Sequence, residues 1–107
     1  MKMILAIINS DDANTVVSNL TKSGFSVTKL ATTGGFLKTG NTTILVGVEN
    51  DKLDPALAII NQYSHSRTQI VPAASELSIG MLSSVPVEIP VGGATIFVID
   101  VERFEKI

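Results

Sequence analysis

Hydrophobic positions along the chain fall into short continuous runs, separated by segments in which they recur at helical spacing. The runs at 3–9, 42–48 and 94–100 are largely apolar, which is typical of strands buried on both faces. Residues 25–31 alternate apolar and polar side chains, so they predict a half-exposed strand near a sheet edge. The pattern therefore predicts four strands.

A first helix is predicted over residues 11–23, where apolar positions recur at i, i+3, i+4 and i+7. Ser10 or Asp11 is expected to cap its start, and Gly24 stands where a left-handed residue ends a helix. The positions that share the apolar face are Ala13, Val16, Val17 and Leu20.

A second helix is predicted within residues 49–64. Asp54 before Pro55 favours a cap followed by a first turn, although Asp51 offers an earlier start. The apolar positions expected on its buried face are Leu53, Leu57, Ile59 and Ile60.

The segment 64–90 is less regular, with short extended pieces at 68–72 and 85–90. The order of the main elements is β-α-β-β-α-β, which indicates an α+β, ferredoxin-like sandwich. In that fold a four-stranded antiparallel sheet carries two helices on one face. The length of 107 residues favours one domain over 1–107.

The second face of this sheet needs a cover, because its strands are apolar on both sides. Two helices cover only one face, so we expect the other face to pack against further subunits. The alternative is that segment 64–90 folds over it. Phe97, in the last strand, is expected in the core.

Composition excludes several classes of function. A net charge of -2 supplies no basic field for nucleic acid. The chain has no cysteine and one histidine, His65, so thiolate chemistry is excluded and a metal site is not expected. No catalytic serine motif is found, and the first apolar run is too short to span a membrane. We expect a cytoplasmic, non-enzymatic protein that is not inserted in a membrane.

The segment 31–43, "ATTGGFLKTGNTT", is richer in glycine than a plain turn requires. It does not match a Walker loop, because Leu37 rather than glycine precedes Lys38 and Thr39. It does not match a dinucleotide fingerprint either, because a strand follows it instead of a helix. One interpretation is a hairpin turn whose glycines (Gly34, Gly35 and Gly40) adopt positive φ.

The other interpretation is a nucleotide pocket. Phe36 offers a face for stacking on a base, and Asn41 offers both a donor and an acceptor to a base edge. Thr28 precedes the segment on one strand, and Gly47 interrupts the strand that follows. A glycine inside a strand suggests close approach by a ligand or another backbone.

The segments "TKLATTGGFLKTGNTT" and "VEIPVGGATIFV" resemble the PII-like signal-transduction proteins that act as cyclic di-AMP receptors in Gram-positive bacteria. The resemblance runs over essentially the whole chain. It implies a PII-like, ferredoxin-like fold and a homotrimer that binds cyclic di-AMP in the clefts between subunits.

The resemblance also implies roles for individual residues. The ligand-binding positions that it implies are Thr28, Gly35, Phe36, Leu37, Asn41 and Gly47. Gly92 and Gly93 match a second glycine pair, for which a tight turn and a ligand contact are both open. Some relatives carry a basic residue where this chain has Ser26, so Lys29 or Lys38 is the alternative partner for a phosphate.

The sequence thus predicts a cytoplasmic receptor without a cofactor, whose ligand is cyclic di-AMP. Ligand is expected to rearrange the loops and so alter the surface offered to an unknown downstream protein. One alternative is a PII-like trimer that senses ATP or ADP, although the short segment with one lysine does not favour a triphosphate. Another is a structural trimer of the same fold.

Overall fold

The computed structural model describes residues 1–30, 40–71 and 86–107. Its helices are α1 (Ser10–Lys22) and α2 (Leu53–Ser64), and a 3₁₀ turn over Asn50–Lys52 precedes α2. Its strands are β1 (Lys2–Asn9), β2 (Val27–Lys29), β3 (Asn41–Val48), β4 (Arg67–Val71), β5 (Val87–Val91) and β6 (Ala94–Asp100).

Four strands form an antiparallel sheet in the order β2-β3-β1-β6. With α1 and α2 this is the predicted α+β, ferredoxin-like fold, which is confirmed. The predicted edge strand is β2, and it is shorter than expected. The extended pieces predicted in segment 64–90 correspond to β4 and β5, which pair with each other in a separate antiparallel ribbon, here called the arm.

The core lies between the sheet and the two helices. Every second residue of β1, from Ile4 to Ile8, is fully buried. The β3 residues opposite Ile4 and Ala6, which are Val46 and Ile44, are fully buried as well.

The helices cover this face with apolar side chains. The buried positions of α1 follow the predicted spacing. In α2, Ile60 is buried as predicted and Ala56 is buried without having been predicted, whereas the other three predicted positions are only partly buried. The residues of the core cluster are Ile4, Ala6, Ile8, Val16, Leu20, Ile44, Val46, Val48, Ala56 and Ile60.

The helix ends differ from prediction at their starts. α1 is capped by Asn9, whose side chain accepts a hydrogen bond from the Asp11 N–H, so β1 runs into the helix without a loop. Gly24 has the predicted left-handed conformation, with a φ of +93°. Asp54 does not cap α2: it lies in the first turn, where its charge favours the helix dipole.

No helix within residues 1–30, 40–71 and 86–107 covers the second face of the sheet, here called the open face. Phe97 is 52% exposed and Ile99 is 43% exposed, and both point to this face through the register of β6 with β1. The expectation that Phe97 lies in the core is therefore wrong for the isolated chain. The arm residues Ile70 and Ile89 are themselves exposed, so the described part of segment 64–90 does not cover the open face.

Candidate functional site

Thr28 and Gly47 lie close together on the open face, because they are on neighbouring strands and Gly47 is two residues beyond the partner of Thr28. Thr28 is opposite Leu45, and Gly47 follows Leu45 on the same side of β3. Both residues line a cavity of about 430 Å³, here called the open-face cavity. Its full lining is Met1, Met3, Ser26, Thr28, Leu45, Gly47, Val101 and Phe104.

The shortness of β2 and the missing side chain of Gly47 leave the room for this cavity. β2 begins to pair at Val27, opposite Val46, so β3 continues past it with an edge that no described strand pairs. A Cβ added to Gly47 would meet only the Met1 methyl group, at 3.4 Å. Glycine at this position therefore leaves room for the cavity, and it is not required by a left-handed φ.

A second cavity, of about 410 Å³, lies on the helix side of the same sheet edge. Met1, Ser26 and Gly47 line both cavities, so they form the border between them. Lys52, at the start of α2, also lines this helix-side cavity. A neutral hydroxyl therefore stands at the border, and the helix-side cavity beside it is lined by the positively charged Lys52 together with the negatively charged Glu49.

Phe104 is the wall residue that the sequence patterns missed. It lies in the polar tail and is 62% exposed, yet it lines the open-face cavity opposite β2 and β3. The tail reaches this place because the Val101 N–H donates to the Met1 carbonyl oxygen at 3.1 Å. A single aromatic residue among charged neighbours is the only sequence signal that could have drawn attention to it.

Asn41 lies away from the open-face cavity. It begins β3, opposite Asn9, whereas Gly47 lies near the other end of the strand. Six residues of antiparallel strand separate them by about 20 Å. Gly40, just before Asn41, has a φ of +106°, so one of the three glycines assigned to a turn has the predicted conformation.

Gly35, Phe36 and Leu37 lie outside the described residues, as do Gly34 and Lys38. Lys29 is described, and its Nζ donates to Asn14 Oδ1 at 3.3 Å. It therefore points towards α1, on the opposite side of the sheet from the open-face cavity.

Gly92 and Gly93 form the turn between β5 and β6, with φ of +77° and +90°. The Gly93 N–H donates to the Ser64 carbonyl oxygen, which attaches the turn to the end of α2. Arg67 lies against Gly92, and its guanidinium binds the carboxylate of Asp12 through two hydrogen bonds. Those bonds raise the pKa of Arg67 above its usual value, and the negative charge of Asp12 adds to the effect.

His65 is exposed, and its Nδ1 lies 3.2 Å from the carbonyl oxygen of Gln62. Within ranges 1–30, 40–71 and 86–107, no three histidine, cysteine or acidic side chains are grouped as metal ligands would be. No helix in those ranges is long and apolar enough to cross a membrane.

Comparison with known proteins gives a family and a structural relative. A protein-family model described as cyclic-di-AMP receptor matches residues 1–107. The crystal structure of a functionally unknown protein from Pediococcus pentosaceus ATCC 25745 is similar, with a TM-score of 0.78 and 35% sequence identity. The match covers 99% of this chain and 96% of that chain.

Proposed function

Because this chain belongs to the cyclic-di-AMP receptor family, we propose that it binds cyclic di-AMP in clefts between the subunits of a homotrimer. We place this receptor in the cytoplasm and assign it no catalytic step. The single observation that carries the site is the open-face cavity, which two of the family-implied residues, Thr28 and Gly47, line together.

The cavity has the chemistry that a nucleotide half requires. Its volume of about 430 Å³ falls within the usual range of small-molecule sites. Phe104 and Leu45 offer apolar surface for a base, and Thr28 offers a hydroxyl for a hydrogen bond. The free edge of β3 at Gly47 leaves backbone groups available to a base edge.

The trimer is supported by the open face. Phe97 and Ile99 are about half exposed there, and an apolar patch of this kind marks a contact surface. In a trimer a neighbouring subunit closes the cleft, and Gly35, Phe36, Leu37 and Asn41 complete the proposed site together with Thr28 and Gly47. We propose that ligand binding rearranges the loops and so signals to a downstream partner protein.

A parallel calorimetric titration with cyclic di-AMP, cyclic di-GMP and ATP tests this function. We expect heat with cyclic di-AMP, at one ligand per subunit, and little or none with the other two. Absence of heat with cyclic di-AMP at micromolar protein contradicts the proposal. A preference for ATP favours instead a nucleotide sensor of the same fold, and no binding of any of the three favours a structural trimer.

A further inference from the structure

The first turn of α1 is in contact with the strand ends that border residues 31–39. The Ser10 N–H donates to the Gly40 carbonyl oxygen at 2.7 Å, and the Ser10 and Thr42 hydroxyls lie 3.0 Å apart. One turn later, Asn14 accepts a hydrogen bond from Lys29 at the end of β2. The start of α1 is thus bonded to β2 and β3 at the end of the sheet where Asn41 lies.

The same turn holds the arm. Asp12 Oδ1 and Oδ2 accept hydrogen bonds of 2.8 and 3.1 Å from the two terminal nitrogens of Arg67, the first residue of β4. The Asp12 side chain is 10% exposed, so its charge is desolvated and depends on this partner. The planar guanidinium binds both carboxylate oxygens at once, which fixes direction as well as distance.

The arm has few other attachments among the residues that the structure describes. Residues 67–70 and 87–90 are all exposed, and β4 pairs only with β5 there. At the base of the arm, Arg67 also donates to the His65 carbonyl oxygen at 3.1 Å. Apart from the hydrogen bond between Gly93 and Ser64 at its base, the orientation of the arm therefore depends largely on the contact between Arg67 and Asp12.

Ser10 and Asp12 can contact different elements because residues two apart in a helix point to different sides. The turn that carries them is held by the Asn9 cap and continues directly from β1 without a loop. A displacement of β3 near Gly40 therefore shifts the carboxylate that holds the arm.

We infer that the first turn of α1 couples the start of β3 to the arm, with Ser10 and Asp12 as the two positioning residues. Its use in signalling rests on the proposed function, because it requires that cyclic di-AMP bound in the cleft displaces the start of β3. The coupling itself needs no ligand. Energetic coupling is also reciprocal, so it can be tested from either end.

Amide hydrogen exchange of the unliganded full chain is the test. Asp12→Asn keeps the shape of the side chain but removes its charge and one of the two oxygens that accept hydrogen bonds from Arg67. We expect faster exchange at 68–70 and 87–89 and also at 41–43, by about fivefold or more at each place, relative to the amides of β1. Asp11→Asn is the matched control, because it removes the same charge from the neighbouring residue, whose side chain is exposed and acts on Arg67 only through its charge. We expect less than about twofold change.

The reverse experiment starts at β3. Thr42→Val removes the hydroxyl near Ser10 and keeps the shape of the side chain, and we expect it to accelerate exchange in the arm. Arg67→Lys, which keeps the charge but not the two-pronged contact, is expected to act like Asp12→Asn. The inference is overturned if the arm and residues 41–43 respond independently, or if Asp11→Asn has the same effect as Asp12→Asn.

Ligand then separates this inference from the proposed function. With cyclic di-AMP we expect altered exchange in the arm of the wild type and a smaller response in Asp12→Asn, at an affinity within about threefold. An equal arm response in both proteins overturns the coupling while leaving the binding intact. If no ligand binds, the proposed function fails, and the exchange of the unliganded variants still decides the coupling.

Discussion

Thr28 and Gly47 face one cavity from neighbouring strands, one through a side chain and the other through the absence of one. The register of β2 with β3 creates this relationship, and it holds without a neighbouring subunit. A residue that is useful for binding and unfavourable for strand stability is expected at such a place.

Gly47→Val separates binding from folding. Valine suits a strand better than glycine, and the contact that its Cβ makes is with the flexible end of Met1. We therefore expect an unchanged or higher melting temperature. The added methyl groups fill the open-face cavity, so we expect the affinity for cyclic di-AMP to fall roughly tenfold or more.

Calorimetry and thermal unfolding on the same preparation check this prediction. Ala58→Val, on the exposed side of α2, is the control for added volume and should leave the affinity unchanged. If Gly47→Val binds like the wild type, Gly47 has no role in the site.

The secondary structure could be largely predicted, because it follows from local pattern. The short continuous run in β1, rich in isoleucine, favours a strand, and the spacing of Val16 and Leu20 in α1 favours a helix. The predicted start of α1 is one residue too late, because Asn9, Ser10 and Asp11 are all good capping residues. Which of them caps depends on where β1 ends, and periodicity does not determine that.

The site could be predicted only in part. That Thr28 and Gly47 share a face follows from alternation and pairing, but the role of Phe104 depends on the path of a polar tail across the sheet. The contact between Asp12 and Arg67 joins residues 55 positions apart. Neither residue belongs to a motif, so only the fold reveals it.

Phe104→Ala tests whether the tail contributes to the site. Phe104 is 62% exposed, so truncation should cost the fold little. Stacking of an aromatic side chain on a base is worth about 1–3 kcal/mol, so we expect the affinity for cyclic di-AMP to fall about fivefold or more. Calorimetry measures the change, with Ile107→Ala as the control because that residue is fully exposed farther along the same tail. Equal affinities for the two variants would remove Phe104 from the site.

Phe97→Glu tests whether the open face is the contact surface between subunits. A charge in the middle of an apolar contact has to be desolvated without a partner, so we expect the proposed trimer to dissociate into folded monomers. Light scattering coupled to size exclusion gives the mass, and circular dichroism checks the fold. Thr15→Glu, on the exposed surface of α1, should leave the mass unchanged. If Phe97→Glu keeps the assembly of the wild type, the open face is not the subunit contact.

Alanine substitutions at Gly92 and Gly24 test the contact between Arg67 and the turn at the base of the arm, with Gly24 as the control. Both have positive φ, at +77° and +93°, so alanine at either position pays the same backbone cost of about 1–2 kcal/mol. A Cβ at Gly24 meets nothing within 4 Å, whereas at Gly92 it meets the Arg67 guanidinium and lies 2.9 Å from the His65 carbonyl oxygen. Gly92→Ala must therefore displace Arg67 or the turn.

We expect Gly92→Ala to lower the free energy of unfolding by more than Gly24→Ala does, as measured by denaturant titration. It should also accelerate amide exchange in the arm, because the displaced guanidinium can no longer bind both oxygens of Asp12. Gly24→Ala should leave arm exchange unchanged, since its turn follows α1 at the opposite end of the helix. If the two variants lose the same stability and amide exchange in the arm is unchanged, Arg67 accommodates a Cβ at position 92. In that case its contact with Asp12 does not require glycine there.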